Sequence, residues 1–314
     1  MSASNPSNEI KITRVYDAPL AAVWDAWTDP EQVAKWWGPR GFTLTTHSKE
    51  LKVGGHWHYT MHGPDGTDYP NRTTYLEVEH HRRLVYDHGA NDERPPLFRV
   101  SVSFTESGGK TKMDMTMTCP TPEATAQTRK IIRDAGGNST WDRLAEYLQK
   151  EISNAEIFVI ARSFDAPVER VYDAWTQPEQ FSRWLGPSDT SMEFIDSEIA
   201  IGKTTFYKMS YGSGLTMFGK MTYLKMDKPD YLEYSQIFCD ESGKLSKHPL
   251  VPVWPDTMLT KIYFAGEGSD KTRVTVVWQP HSEASKDEID AFVQMRDGMT
   301  QGWTQSFDKL DDLL

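Results

Sequence analysis

The sequence predicts an α+β protein built from two tandem copies of one domain. Each copy is expected to be a curved antiparallel β-sheet of about six strands around a long C-terminal helix, with two short helices after the first strand. Three observations support this prediction: an internal repeat at constant spacing, alternating apolar residues in the middle of each copy, and helical apolar spacing at the end. The length of 314 residues also suits two domains, since single domains commonly contain about 100–150 residues.

The internal repeat keeps one spacing over much of each copy. Trp27 returns as Trp175, a shift of 175 − 27 = 148. This period matches a globular domain rather than the roughly 20–50 residues of a solenoid repeat. We place the domains at residues 9–151 and 155–314, and their short connector predicts an intramolecular pseudo-dimer in a monomeric chain. The identical segments are Asp17–Pro19, Asp25–Thr28, Pro30–Gln32 and Gly38–Pro39, repeated as Asp165–Pro167, Asp173–Thr176, Pro178–Gln180 and Gly186–Pro187.

Each copy begins with a strand and two short helices. Residues 10–16 alternate with period two, which is typical of a half-buried strand. Pro19 occupies a position where a first helical turn tolerates proline, and Pro30 ends one helical pattern and begins the next. The other strand-like runs, separated by glycine and proline turns, are Trp57–Met61, Thr73–Val78, Leu84–Tyr86, Phe98–Phe104 and Lys112–Thr118.

Each copy ends in a long helical pattern, which in the second copy spans Ile289–Leu314. Gly298 and Gly302 interrupt it, and each costs roughly 1 kcal/mol relative to alanine. We expect that the helix backbone packs closely on the sheet at these glycines; space kept for a ligand is the alternative. Spacing to the following leucines pairs Gly137 with Trp303, so the two interiors should differ in shape.

Composition excludes several classes of partner. The net charge is −11: residues 1–151 hold 18 Lys/Arg against 20 Asp/Glu (−2), and the remainder hold 16 against 25 (−9). Binding of a nucleic-acid backbone needs a basic surface, so we expect no nucleic-acid partner. The two cysteines, Cys119 and Cys239, occupy non-equivalent positions and are expected to be free thiols. No apolar run is long enough to span a membrane, and a cytoplasmic protein is predicted.

Two features distinguish the copies. The second has about a dozen extra residues near Cys239–Pro255, which we expect to form a long hairpin loop or lid. The first has most of the histidines, with His56, His58 and His62 on one face of a strand. Such spacing can ligate a metal, but the second copy lacks these histidines and no motif supplies a fourth ligand. We therefore expect a solvated or inter-domain sheet face, no metal and no cofactor.

Aromatic residues with polar tips alternate on the opposite face of the predicted sheet. Tyrosine, tryptophan and methionine suit a mostly apolar pocket with a few orienting groups, although they also suit a filled core. Arg14 and Arg162 share this face; structural pairing is favoured over an anionic ligand because a buried guanidinium needs a partner. The candidate ligand-binding residues are Arg14, Trp37, Trp57, Tyr59, Met61, Tyr75, Tyr86, Tyr207, Met209, Tyr223, Tyr234 and Trp303.

A family resemblance rests on the following residues and motifs: Arg14, Ala18-Pro19, Val23, Ala26-Trp27-Thr28, Pro30-Glu31, Trp36-Trp37-Gly38-Pro39 and Gly54-Gly55. With their copies, they resemble the activator of Hsp90 ATPase homologue branch of the START-like superfamily (SRPBCC, helix-grip, polyketide cyclase-like). The resemblance implies a cavity between the sheet and the C-terminal helix. The second copy departs from the pattern at Trp184-Leu185 and Gly202-Lys203.

Three functions are compatible with these sequence features. The first is binding of a small hydrophobic or aromatic molecule in that cavity. The alternative is an enzyme of the polyketide cyclase, dehydratase or hydrolase type using Tyr59, Tyr86 or Arg14. A phenol with a pKa of about 10 is a poor base without an activating partner, and the usual catalytic motifs are missing from the sequence. The family name suggests a third, an Hsp90 partner. We do not expect it, because the repeat begins about ten residues into the chain and leaves no room for a separate activating domain.

Overall fold

A computed structural model describes residues 8–90, 94–134, 139–152, 156–281 and 283–314. The chain divides into two compact units, Met1–Ile152 and Ser153–Leu314, here called domain 1 and domain 2. Each contains one seven-stranded antiparallel sheet and four helices among the described residues. None of the described helices is both long enough and apolar enough to cross a membrane.

Domain 1 has the sheet order β1-β7-β6-β5-β4-β3-β2, so only the β1–β7 neighbours are distant in sequence. Its two short helices follow β1, and two further helices follow β7. The elements are β1 Glu9–Tyr16, α1 Leu20–Thr28, α2 Pro30–Trp36, β2 Thr43–Lys49, β3 His56–His62, β4 Asp68–Glu79, β5 Arg83–Ala90, β6 Phe98–Ser107, β7 Lys110–Thr118, α3 Pro122–Asp134 and α4 Ser139–Ile152.

Domain 2 repeats this order as β8-β14-β13-β12-β11-β10-β9. The elements are β8 Phe158–Phe164, α5 Val168–Thr176, α6 Pro178–Trp184, β9 Thr190–Asp196, β10 Thr204–Tyr211, β11 Thr216–Asp227, β12 Tyr231–Cys239, β13 Thr257–Gly266, β14 Thr272–Pro280, α7 Lys286–Gln294 and α8 Arg296–Leu313. The predicted α+β class with two tandem domains is confirmed.

The predicted number of strands was one too low in each domain. The strand that the sequence analysis missed is β2 in domain 1, and its copy is β9. Both lie at the edge of their sheet, where one side of the strand has no pairing partner. Strand β2 is mostly polar, with Leu44 as its one aliphatic residue. No side chain of β2 is fully buried, so its sequence shows little apolar alternation. Strand β9 is less polar and buries Met192.

The repeated motif builds the α1–α2 corner. The Asp29 carboxylate accepts hydrogen bonds from the backbone N–H groups of Glu31 and Gln32, which caps α2. The buried Trp36 indole donates its Nε1–H to the Ala26 carbonyl at 3.0 Å. In domain 2, Trp184 repeats this bond at 2.9 Å. The strongest sequence signal therefore encodes a packing unit of the fold.

In domain 2, the predicted long C-terminal helix is two helices. In domain 2, α7 ends at Gln294 and α8 begins at Arg296, with Met295 between them at φ −85° and ψ −1°. The Met295 N–H is hydrogen-bonded to the carbonyls of Ala291, Phe292 and Val293. The last turn of α7 is therefore tighter than an ordinary α-helical turn. Apolar spacing continues across this break and could not reveal it. In domain 1, Gly136-Gly137 lie outside the described residues.

Candidate ligand-binding site

Three tyrosines line the inner face of the domain 1 sheet on consecutive strands. Tyr59, Tyr75 and Tyr86 lie on β3, β4 and β5 and are only 1–4% exposed. Tyr75 and Tyr86 are direct cross-strand partners, with ring centroids 6.1 Å apart. Burial raises the pKa of all three phenols, so each stays protonated at neutral pH. With Thr73 and His88, described below, they form what we call the tyrosine cluster.

Indole rings cover one side of this cluster. Trp57 stacks on Tyr59, with centroids 4.1 Å apart, and Trp37 meets Trp57 edge-on at 5.4 Å. Helix α4 contributes Trp141, which stacks on Trp27 at 5.8 Å and lies 6.2 Å from Trp37. An aromatic wall beside the tyrosines is therefore built from the end of α2, strand β3 and helix α4.

His88 is the residue that the sequence analysis did not select. Its Nδ1 lies 3.4 Å from the Tyr59 hydroxyl, and its ring stacks on Phe98 at 4.8 Å. Burial lowers the pKa of His88 to about 4, and the charge of Arg94 lowers it further. The imidazole is therefore neutral at neutral pH. Strand parity could have found it, because His88 follows the inward-facing Tyr86 by two residues.

The lowered pKa of His88 predicts an acid-dependent loss of stability. In the unfolded chain this imidazole takes up a proton near pH 6.5, whereas in the folded domain it does so only near pH 4. The free energy of unfolding of domain 1 should therefore fall as pH drops from about 6.5 to about 4, by about 2–3 kcal/mol. Urea unfolding at pH 7, 5 and 4 measures this loss. His88→Gln, which copies domain 2, should reduce it; equal pH profiles for both proteins would contradict the assignment.

Thr73 places a buried hydroxyl beside the Tyr59 hydroxyl. The residue is 1% exposed, and within the described ranges its Oγ1 makes no hydrogen bond of good geometry. A buried hydroxyl left in this state costs about 1–3 kcal/mol. The inner face of domain 1 thus offers an available polar atom between aromatic rings.

Domain 2 keeps three tyrosines at the matching positions. Tyr207, Tyr223 and Tyr234 are at most 4% exposed, and burial raises the pKa of each. Gln236 stands where domain 1 has His88, and it donates to the Tyr207 hydroxyl at 2.6 Å. The Tyr223 hydroxyl has no hydrogen-bond partner within the part of the chain that the structure describes. In both domains, one tyrosine hydroxyl thus contacts a polar side chain that lies two strands away, from β3 to β5 and from β10 to β12.

The aromatic wall differs between the domains. Trp37 and Trp57 of domain 1 correspond to Leu185 and Thr205 in domain 2. The insertion changes the other end of domain 2, where Trp254 is buried against Trp278 and Phe292 at 5.8 Å from each. The predicted hairpin or lid therefore contributes an indole to the domain 2 core.

The two inward-facing arginines have different surroundings. Arg14 is 2% exposed, and its Nη1 donates to the Thr13 carbonyl at 2.9 Å. Arg162 is partly exposed and forms an ion pair with Asp308 at 2.6 Å, with Asp311 at 3.6 Å. For Arg162, the favoured structural pairing is what the structure contains.

The remaining predicted site residues are less buried. Met61, Met209 and Trp303 are each partly exposed. Trp303 stacks on Trp175 at 6.0 Å, which is the relation that Trp141 has to Trp27 in domain 1. The counterpart of Trp303 is therefore Trp141, and the predicted pairing with Gly137 was wrong by one helical turn.

The helical glycines contradict the expected close packing. A Cβ atom built on Gly298 would come no nearer than 3.9 Å to a neighbouring atom, the Met295 Cε. On Gly302 the nearest atom would be the Pro187 Cγ, also at 3.9 Å. Ordinary contact needs no glycine, so close approach to the sheet does not explain either residue.

A cavity of about 140 Å³ lies in domain 2 away from the predicted site. It is lined by residues at the end of the insertion and the start of α7, including Asp256, His281 and Glu288. None of the predicted ligand-binding residues lines it. Lys247 bridges Asp256 at 2.6 Å and Glu288 at 3.2 Å, so these carboxylates already have a cation.

The histidines of β3 lie on the opposite face of the sheet from the tyrosine cluster. His56 is exposed and contacts the Thr74 hydroxyl at 3.0 Å, while His62 contacts Asp68 at 2.6 Å. Among the residues that the structure describes, no group of three or more His, Cys, Asp or Glu side chains could hold a metal ion. The two cysteines are buried free thiols.

Comparison with known proteins identifies the family. The sequence profile described as activator of Hsp90 ATPase homolog 1-like protein (AHSA1) matches residues 17–149 and 165–314. The chain belongs to this family. No curated protein matches the sequence.

Solved structures similar to this AHSA1 protein include chains that match about half of it and one di-domain chain that matches nearly all of it. Protein Ms6760 from Mycobacterium smegmatis is 22% identical over 51% of this chain and 91% of its own, with a TM-score of 0.44. A protein from Staphylococcus epidermidis is 27% identical over 49% of this chain and 97% of its own (TM-score 0.42). The di-domain ARO/CYC BexL from the BE-7585A biosynthetic pathway is 13% identical over 97% of each chain (TM-score 0.38).

Proposed function

We propose that this AHSA1 protein binds a small, uncharged, mostly aromatic molecule between the sheet and the C-terminal helix of domain 1. The observation that carries the proposal is the tyrosine cluster itself. Beside the aromatic wall, it places a buried Thr73 hydroxyl that makes no hydrogen bond of good geometry in the described chain. A ligand oxygen accepting from Thr73 would remove the cost of that hydroxyl.

The pKa shifts support binding over acid–base catalysis. A general acid or base works best with a pKa near the working pH. Burial moves Tyr59 and His88 in opposite directions, both away from neutrality, because it disfavours the phenolate and the imidazolium alike. At neutral pH the pair can donate and accept hydrogen bonds but is poorly suited to exchanging a proton. A neutral ligand is expected for a similar reason, because burial among these aromatic side chains disfavours a charged group.

Calorimetric titration of the full chain with 2-naphthol and naphthalene tests this proposal. The two probes share an aromatic frame, and only the first has a hydroxyl group. We expect saturable binding of 2-naphthol, tighter than that of naphthalene. Thr73→Val should weaken 2-naphthol binding about fivefold to tenfold, which corresponds to roughly 1 kcal/mol. The same variant should raise the stability of the unliganded protein, because it removes a buried unpaired hydroxyl.

The matched control is in domain 2. Tyr207→Phe removes the hydroxyl that Gln236 contacts, whereas Tyr59→Phe removes its counterpart beside His88. If domain 1 is the binding domain, Tyr59→Phe weakens 2-naphthol binding and Tyr207→Phe does not. Heat that never saturates for either probe, or equal losses in both variants, would reject the proposal.

A further inference from the structure

Residues 240–256, which connect β12 to β13 in domain 2, divide into two parts. The first part folds back on β12, because the Ser246 N–H donates to the Phe238 carbonyl at 3.0 Å. The second part, residues 247–256, contains neither a helix nor a strand. We call it the lid segment. With no strand pairing, its attachment to domain 2 depends on turns and side chains.

His248 holds the lid segment in a turn. Its Nδ1 accepts hydrogen bonds from the backbone N–H groups of Leu250 and Val251, both at 3.1 Å. The Val251 N–H is shared with the His248 carbonyl at 3.3 Å. A backbone N–H can only donate, so Nδ1 must be unprotonated, whereas an imidazolium carries hydrogen on both ring nitrogens. The neutral imidazole therefore caps this turn, and a proton on Nδ1 would remove both bonds.

The turn places two side chains of the lid segment against the core of domain 2. Val251 is partly buried there, and Trp254 is 4% exposed. The Trp254 N–H donates to the Val251 carbonyl at 3.0 Å, which joins the indole to the turn. Trp254 covers Trp278 and Phe292, at 5.8 Å from each. Its own indole N–H has no hydrogen-bond partner among the described residues, at a cost of about 1–3 kcal/mol. The buried position of Trp254 is therefore only weakly favoured.

The His248 ring lies beside two aromatic side chains. It meets Phe238 edge-on, with centroids 4.6 Å apart, and lies 5.6 Å from Trp254. Burial lowers the pKa of His248 from its ordinary value of 6.5, in agreement with the acceptor role of Nδ1. In an opened turn the imidazole regains the ordinary value. The stability of the closed turn is therefore fully present above about pH 6.5 and is lost as the pH falls below it.

Other titratable groups lie on the elements around the lid segment: Cys239 of β12, Lys247 and Asp256 of the lid segment, Glu288 of α7 and His281 after β14. Lys247 bridges Asp256 at 2.6 Å and Glu288 at 3.2 Å, which is a second attachment of the lid segment. A hydrogen bond from the Ser285 N–H lowers the pKa of Glu288, so this carboxylate stays charged at pH 5. Burial raises the pKa of the Cys239 thiol, which stays neutral. His281 lines the domain 2 cavity and needs a control variant of its own.

We propose that the lid segment is an acid-opened lid of domain 2, released when His248 takes up a proton. The imidazolium cannot accept from Leu250 and Val251, so the turn opens and Trp254 leaves Trp278 uncovered. The closed turn has no place for a proton on Nδ1. The ratio of open to closed turns should therefore rise about thirtyfold between pH 7.5 and pH 5. The proposal does not depend on ligand binding in domain 1.

Hydrogen–deuterium exchange of the full chain at pH 7.5 and pH 5, followed by peptide mass spectrometry, tests this proposal. His248→Asn is the matched variant, because its side-chain oxygen can accept the same N–H groups but takes up no proton in this range. Comparison at equal pH removes the chemical pH dependence of exchange. Peptides covering residues 247–256 should exchange equally at pH 7.5, and about tenfold to thirtyfold faster in the wild type at pH 5. His248→Ala, which has no acceptor, should exchange fast at both pH values.

Further controls separate lid opening from unfolding of domain 2. Peptides from Thr257–Gly266 should keep their protection at pH 5, because the sheet stays paired. His281→Gln should retain the acid response. Hydroxyl-radical footprinting should show more oxidation of Trp254 at pH 5 than at pH 7.5 in the wild type, but not in His248→Asn. Equal exchange in the wild type and His248→Asn at pH 5, an unchanged Trp254, loss of the response in His281→Gln, or parallel opening of β13 would overturn the proposal.

Discussion

Glu267→Ala is expected to lower the free energy of unfolding of domain 2 by about 3–5 kcal/mol. Glu267 and Arg273 form an ion pair at 3.5 Å, and their side chains are almost completely buried. Glu267 also accepts a hydrogen bond from the Ser163 hydroxyl at 2.9 Å. Removing the carboxylate takes this counter-charge away from a buried guanidinium, and such a change costs far more than the pair contributes. Chemical denaturation followed by circular dichroism measures the loss.

A double variant and a control in domain 1 show whether the buried charge is the cause. Glu267→Leu combined with Arg273→Met removes both charges and should recover most of the stability lost in Glu267→Ala. Lys112 occupies the position of Arg273 in domain 1, where it is half-exposed and pairs with Asp114 at 2.9 Å. Lys112→Ala should change stability by less than about 1 kcal/mol. Similar losses for Lys112→Ala and Glu267→Ala would contradict this explanation.

The fold was predictable where local sequence and tertiary packing agree. The Pro30 and Trp36 positions mark the α1–α2 corner in both copies because proline begins a helix and a buried indole needs an acceptor. Edge strands such as β2 bury too little to leave a pattern. The helix register failed for a different reason: Trp141 and Trp303 are 303 − 141 = 162 residues apart, 14 more than the repeat spacing. A shift that accumulates after an insertion is invisible when only local spacing is compared.

The sequence predicted which side chains of the candidate site face inward, but it did not predict their contacts. Strand parity indicated that Tyr59, Tyr75 and Tyr86 face inward, and all three are buried. Parity cannot show that the Tyr59 hydroxyl meets His88, because β4 lies between the strands that carry them. The contact depends on how far each side chain reaches across the sheet.

Gly219→Ala is expected to lower the free energy of unfolding of domain 2 by about 3 kcal/mol. Gly219 on β11 is the cross-strand partner of Tyr207, and the tyrosine ring lies directly over it. A Cβ atom at Gly219 would overlap the Tyr207 hydroxyl and Cζ and would lie 2.8 Å from its Cε1. The ring must move, which costs about 1–3 kcal/mol for overpacking and also breaks the hydrogen bond from Gln236.

Gly266 on β13 provides the matched control, because a Cβ atom there would meet nothing within 4 Å. Gly266→Ala should therefore leave stability nearly unchanged, and adding Tyr207→Leu to Gly219→Ala should restore part of the loss. Domain 1 has Asn71 at the position of Gly219, and Tyr59 stacks on Trp57 there. Tyr207 thus lies over a glycine in domain 2, whereas the equivalent Tyr59 stacks on an indole in domain 1. If Gly219→Ala proved as harmless as Gly266→Ala, the Tyr207 ring could not lie over Gly219.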